Sequence, residues 1–547
     1  MRLILLFCFI TSLAFSQSEE SYFHTLSPHP YFSSIEEAIK QKDEVYNLDL
    51  RKQNLKQFPE EILSFKNLQI LFLDSNQIKK IPEEINQLSK LKVLGLGHNQ
   101  IKKVPFQVGR LYDLRLLYLN SNNIQELPVE IFDLEKLEGL YLEKNELAVI
   151  PKEIEKLKQL KLLWYTDNKI EVLPKELGQL KFLKSFAATN NLIKRVPDEL
   201  FNATELEKLF LSQNQISKIP ENIYQLKKLN TLLLDFNTIK EIPTSIGTLQ
   251  QLKTMYLSDN LITEIPEQIG NLKQIEFLAL SNNKLKTLPN EIGNLQKLKT
   301  LALRNNPLDS IPTSIIHCSQ LTELFLNGVI FKNYPSFIYD LELKNVKVVG
   351  LICAIEYKEI SEEIRKIDGN YYYPKLLRYY LALDYPLTTS EYRYLYYGYV
   401  FHKNYQPLEP SKDEIQFFEY IKTDKVADAI KLGYTLLENE PANLDVVANL
   451  SNLLLISGNP SKCNVLKQHY FGLLSAIESS GDGLQNENAF HLIFPKDQYQ
   501  ILFSRGLEKT KSDLETLTEK VIVKTPNSYN IEALYFDISY PISFGVK

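Results

Sequence analysis

LQILFLDSNQIKKIPEEINQLSK, residues Leu68 to Lys90, decides the fold. The same 23-residue pattern runs thirteen times, without insertion or deletion, from Val45 to Leu343. Within it, apolar residues recur at positions 1, 4, 6, 11, 14, 18 and 21. Position 9 is asparagine in eleven repeats, Asn76 through Asn306, and position 15 is proline in all thirteen, Pro59 through Pro335. Gln53 and Val329 replace the asparagine in the first and last repeats, where a stack is expected to be atypical.

Elementary geometry turns the pattern into structure. The alternation at positions 4 and 6 has period two, so those side chains point one way and positions 3, 5 and 7 the other. Proline at 15 fixes φ and donates no hydrogen bond, ending extended structure before a short helical return over positions 16 to 22. One repeat cannot bury its own leucines, whereas stacked repeats share a continuous core. Thirteen parallel strands so stacked span about 60 Å. A buried asparagine at each turn bonds backbone groups of its own and the adjacent repeat, a structural role. Tyr165 at position 6 of repeat 6 faces Ala188 in repeat 7, a large residue beside a small one in the same core layer.

These residues resemble the leucine-rich repeat family in its 23-residue form, with an (I/L)P step after the asparagine. The resemblance implies an α/β solenoid, a horseshoe with a parallel sheet on its concave face. A smaller α+β domain with a helical-hairpin part is expected behind it.

Outward from the repeats, residues 1–16 (MRLILLFCFITSLAFS) carry Arg2 and then an apolar run from Leu3 to Ile10. The run is too short to span a bilayer, and Ala14 and Ser16 stand at −3 and −1 to a cut before Gln17. This reads as a secretory signal, which places the mature protein outside the cytoplasm: periplasm, cell surface or medium. Leu6-Phe7 ahead of Cys8 is poor for a lipoprotein site, and no later stretch is apolar enough for a transmembrane helix. Residues 17–44 form an N-terminal capping segment. Ser34 with Glu37 makes a capping box, and Ile35, Ala38 and Ile39 an apolar stripe. His24 and His29 lie in a segment that reads as flexible.

The repeats occupy 45–343, a cap or connector 344–368, and the α+β domain 369–547. Residues 346–357 (VKVVGLICAIEY) suit a final strand or two. Twenty of the 31 tyrosines lie beyond residue 343. Thr388 with Glu391 starts a helix through EYRYLYYGYVF, and further helices are expected at 424–439, 443–457 and 461–480, the first two resembling a tetratricopeptide hairpin. Period-two stretches at 489–494, 519–524 and 531–539 predict a small antiparallel sheet. LTTSEYRYLYYGYVF, AIESSGDG, AFHLI and LYFDIS together resemble an uncharacterised domain of exported bacterial proteins, a resemblance that brings no activity with it. The tyrosines read as packing with hydroxyls at the rim, against a ligand pocket around Tyr396, Tyr397 and Asp482.

Chemistry-bearing motifs are missing. The chain has no G-x-S-x-G, H-E-x-x-H, P-loop or G-x-G-x-x-G pattern. Its four cysteines are too scattered for a disulfide framework or a thiolate zinc site, and its net charge of −5 lacks the basic field of a nucleic-acid binder. His317-Cys318 on the return of repeat 12 reads as packed rather than nucleophilic. No catalytic residue, metal site or cofactor is expected.

The binding signal is on the sheet. Position 5 reads Phe72, Tyr118, Tyr141, Trp164, Phe210, Tyr256 and Phe325 in seven repeats, and position 3 adds Ile70, Val93, Leu116 and Leu162. From repeat 7 on, position 3 is mostly polar: Ser185, Lys208, Thr231, Thr254 and Thr300, with Phe277 the exception. Apolar residues facing solvent mark interaction sites, with β-propensity as the plainer account. Asp74, Asn120, Glu143, Thr166, Ser212 and Asp235 at position 7 offer a polar rim. The reading is an exported, non-catalytic scaffold holding a protein or peptide across repeats 2 to 8. A C-terminal enzyme, or a glycan-binding envelope component, targeted by the repeats stands as the alternative.

Overall fold

The computed structural model describes residues 22–331, 335, 337–353, 355–484, 488–515, 518–525, 527 and 531–539. The signal expected at 1–16 lies outside the described residues. Two compact parts divide the chain: one extends to Leu301 and includes His317–Gln320, and the other comprises Ala302–Ile316 and the chain from Leu321 on.

Fifteen strands form one sheet in sequence order. Thirteen come from the repeats; Tyr31–Phe32 precedes them and Lys347–Cys353 follows, the final strand foreseen from residues 346–357. In repeats 1 to 12 the strand is three residues long, at positions 3 to 5, and pairs parallel in register with its neighbour, as in Leu117↔Leu140 and Leu140↔Leu163. In the same twelve repeats the return after the proline is a five-residue 3-10 helix, for example Val129–Asp133 behind Pro128, and in repeat 13 it is the α-helix Phe337–Leu343. The 3-10 bonds run three residues back, Ile131 N–H to Pro128 O at 3.1 Å. The side chains at positions 4, 6, 11, 18 and 21 interdigitate in a single core; in repeat 4, Leu117, Leu119, Ile124, Ile131 and Leu134 are all fully buried.

The asparagine column works as expected. Asn145 Nδ2 donates to Leu142 O and, one repeat back, to Leu119 O, while Oδ1 accepts the N–H of Ile124. Each turn is thereby tied to the next, across eleven repeats. Position 8 carries a feature not legible beforehand. It is left-handed in every repeat, from Lys52 at φ 59° to Asn305 at φ 52°, and only repeat 13 places a glycine there, Gly328. Flanking bonds over-determine the conformation: Ser121 N–H donates to Glu143 O at 2.6 Å, and Asn122 follows with its own ladder. Tyr165 and Ala188 are both fully buried, as their complementary volumes require.

The segment around His24 and His29 is ordered, correcting the expectation of flexibility. Residues 22–26 make a helical turn, and Asn47 Nδ2 then holds the Ser27 and His29 carbonyls at 3.3 and 2.6 Å. His29 stacks on Tyr46, and the helix Ile35–Lys40 begins at Ser34, whose hydroxyl accepts from Glu37 N–H.

In the C-terminal part the helices Thr389–Gly398, Val426–Asn439, Leu444–Ile456 and Pro460–Glu478 fall where the sequence placed them. Both halves of the Thr388–Glu391 capping box are made. Helices Tyr373–Ala382, Lys412–Lys422 and Gln498–Ser504 were not foreseen. The small sheet is mixed, not antiparallel. Phe490–His491 runs parallel to Phe536–Asp537, and the far edge is an unforeseen strand, Lys509–Glu515. That edge strand has charge at alternate positions, which hid it from a hydrophobic-period search. The tyrosines pack: Tyr380, Tyr396, Tyr397 and Tyr399 are fully buried. Tyr397 and Tyr405 hydroxyls donate to the His491 and Ile493 carbonyls, and that of Tyr396 to Asp497. Asp482 caps its own turn, accepting Leu484 N–H at 2.9 Å.

Candidate binding face

Because every strand repeats the same three positions, positions 3, 5 and 7 of adjacent repeats lie side by side on one face, a strand spacing apart. At position 5 this aligns Tyr118, Tyr141 and Trp164. Tyr118 stacks on Tyr141 with ring centroids 4.3 Å apart, and Trp164 stands edge-on to Tyr141 at 5.1 Å and 83°. The indole N–H donates to Ser185 Oγ at 3.2 Å, fixing the ring over repeat 7. Two glycines make room for this. A Cβ at Gly139 would fall 2.7 Å from Leu116 Cδ2, and one at Gly95 2.7 Å from Phe72 Cδ1 and 2.2 Å from Asp74 Oδ2. Larger side chains lean over each gap.

The cluster built this way contains Ile70, Phe72, Val93, Leu116 and Tyr141, flanked by Tyr118, Leu162 and Trp164. Five of the expected partner-binding positions therefore come together with Tyr141: Phe72, Leu116, Tyr118, Leu162 and Trp164. Phe210 and Tyr256 share the face but not the cluster; Ala187, at position 5 of repeat 7, interrupts the ladder before them. Asn120, Glu143 and Thr166 are half-buried along position 7.

Two expectations about this face are corrected. The apolar column is not open along its length, since Phe72 and Tyr141 are only 5% and 4% exposed. Their cover is the chain's own N-terminal turn: Tyr22, Phe23 and Leu26 pack on the cluster. Phe23 meets Phe72 edge-on at 5.2 Å, Leu26 O accepts Lys92 Nζ at 2.6 Å, and the Tyr22 hydroxyl bonds Glu138. Glu138 also receives Arg115 and Lys161, at 2.8 and 2.5 Å. Burial, followed by that carboxylate, pushes Tyr22 up to about 12. The second correction is at the rim. Ser212 and Asp235 are 8% and 3% exposed, so they lie within the surface rather than along a solvated rim. Asp235 accepts Ser258 N–H at 2.8 Å, and burial pushes its carboxyl up to about 7. Asp74 accepts Gly97 N–H at 2.9 Å and is likewise pushed up to about 6. Tyr22, Phe23, Leu26, Lys92 and Glu138 were missed. The signal available was an aromatic pair with a leucine three residues on, ahead of the repeats.

Elsewhere the groups with reactive potential are packed. Cys318 lies against Ile292 O at 3.2 Å, and burial pushes its thiol up to about 11. His469, held between Tyr392 and the Tyr380 carbonyl, is pushed down to about 4 by burial. Among the described residues no group of His, Cys, Asp and Glu is placed to hold a metal ion, and no helix is long and apolar enough to cross a membrane.

Comparison with known proteins finds two kinds of family along the chain. Residues 43–101 match a family described as leucine rich repeat, and three overlapping stretches, 99–210, 199–279 and 266–368, one described as leucine-rich repeat region. Residues 358–544 match a domain of unknown function, DUF4919. Among solved structures, a leucine-rich repeat protein of Leptospira interrogans is 30% identical over 58% of this chain and 99% of its own, with a TM-score of 0.44. An internalin of Listeria monocytogenes is 24% identical, covering 57% of this chain and 88% of its own, with a TM-score of 0.52. A TDR receptor is 26% identical over 60% of each chain, with a TM-score of 0.54. No curated protein matches.

Proposed function

The chain belongs to the leucine-rich repeat family, and from that premise we propose that it is an exported, non-catalytic scaffold whose sheet face holds a protein or peptide. The observation that carries this reading is the aromatic ladder Tyr118–Tyr141–Trp164, with Phe210 and Tyr256 further along the same face beyond Ala187 and half-buried polar residues alongside. Trp and Tyr joined in a semi-exposed apolar surface are the residues that anchor interfaces, and a fold that needed only leucines would have no use for them there. The likeness to a receptor of similar fold is in keeping with it.

The test is capture by the full-length chain, immobilised and exposed to envelope extract, against Trp164→Ala/Phe210→Ala. Loss of a retained protein by at least about ten-fold in the double variant, with the repeats still folded, is the expected result. Equal retention by both chains overturns the face assignment.

A further inference from the structure

We propose that the N-terminal turn, residues 22–26, is an internal stand-in for the ligand. The face would thus recognise a short helical turn bearing two adjacent aromatic side chains and, three residues after the second, a branched aliphatic one. This rests on the scaffold reading and specifies the partner's chemistry. The turn presents Tyr22, Phe23 and Leu26 to one apolar surface. Its polar contacts to the face among the described residues are those a separate peptide could make: one carbonyl to Lys92 and one hydroxyl to Glu138.

Three observations favour a replaceable occupant over a permanent cap. Among the described residues, strand pairing of the N-terminal segment begins at Tyr31, and the turn is seated by the side chains of Tyr22, Phe23 and Leu26 and by the Leu26 carbonyl. The structural attachment of the segment lies after the turn, at Ser27 and His29 on Asn47, and would survive its release. The apolar surface also extends past residues 22–26: Tyr118, Leu162 and Trp164 pack on the same cluster and stay half-exposed, so a longer ligand carrying the same turn meets adjoining apolar surface. The run of apolar position-3 residues, from Ile70 to Leu162, ends where this surface ends. A tethered occupant competes at high effective concentration, so an external ligand binds weakly until the turn is displaced.

The probe is a synthetic peptide of residues 18–30, SEESYFHTLSPHP. The full-length chain carrying Tyr22→Ala/Phe23→Ala/Leu26→Ala should bind it at least ten-fold more tightly than the unaltered chain, and adding Phe72→Ala should remove that binding. Failure of the triple variant to bind, or equal binding by both chains, makes the turn a fixed cap and overturns the proposal. If the triple variant does not fold, the unaltered chain decides. Excess peptide must speed amide exchange at residues 22–27, and unchanged exchange overturns it. The peptide assay involves no natural partner, so its failure alongside Trp164-dependent capture sinks only this inference; capture insensitive to Trp164 sinks the scaffold reading instead.

Discussion

Phe23 meets Phe72 edge to face, with ring centroids 5.2 Å apart and ring planes at 64°. Phe23 precedes the repeats and Phe72 ends the strand of the second, so this contact is made across the sheet face rather than along the stack. Edge-to-face pairs contribute about 0.5–1.5 kcal/mol beyond their buried area. That pair, the Tyr22 hydroxyl and the Leu26 carbonyl are the directed contacts of the turn, beside the packing of Tyr22, Phe23 and Leu26 on the apolar cluster.

Trp164→Ala separates binding from folding. The indole packs on Tyr141 and bonds Ser185, so unfolding should cost about 1 kcal/mol less than in the unaltered chain. Partner affinity should fall by about 2 kcal/mol or more. Denaturant titration and binding isotherms on the same preparations check both; a large stability loss with unchanged binding would make Trp164 a core residue.

Asn145→Ala and Asn168→Ala test the turn column. Both amides make the same bonds, but Asn145 is buried and Asn168 half-buried. The first should lose about 1–3 kcal/mol by stranding buried backbone groups. Water can replace part of the amide at the second, so the loss there should be smaller, and equal losses in urea unfolding would contradict that account.

Asp235 sets a pH dependence of unusual sign. Its carboxyl is pushed up to about 7 from an ordinary 3.8, so the folded chain holds this proton where the unfolded chain has released it. Its contribution to stability is therefore present below about pH 4 and is lost as pH rises through about 7, by at most about 4 kcal/mol. Asp235→Asn should be more stable than the unaltered chain at pH 8, with the difference shrinking toward pH 4. Denaturant midpoints at pH 5 and pH 8 measure it, and a constant difference would mean that Asp235 titrates normally.

Export predicts the mature terminus. The sequence before Gln17 reads as a cleaved signal, so mass spectrometry of the native protein should find a chain beginning at Gln17. An intact Met1 on protein from a cytoplasmic fraction would remove the extracytoplasmic part of the proposal.

The register of thirteen repeats, the buried columns and the role of the asparagines were legible in the sequence, because each depends on neighbours 23 residues away in an unbroken period. Which side of a strand a residue occupies is likewise local: period two puts Trp164 and Phe72 on the same face. Whether that face meets water is not local. Tyr22, Phe23 and Leu26 reach it from outside the period, so no pattern within the repeats could place them, and the same residue type ended half-exposed at Tyr118 and buried at Tyr141. The left-handed turn at position 8 escaped for a related reason. Glycine is the usual sign of that conformation, and here backbone bonds from the next repeat impose it on Lys144 or Phe236 instead. Sequence by itself determined the repeating unit and its two faces, since those follow from side-chain alternation and the fixed φ of proline. Tertiary structure alone decided what covers the candidate face and which of its carboxylates are buried, since burial is a property of the segments that come to lie against a surface.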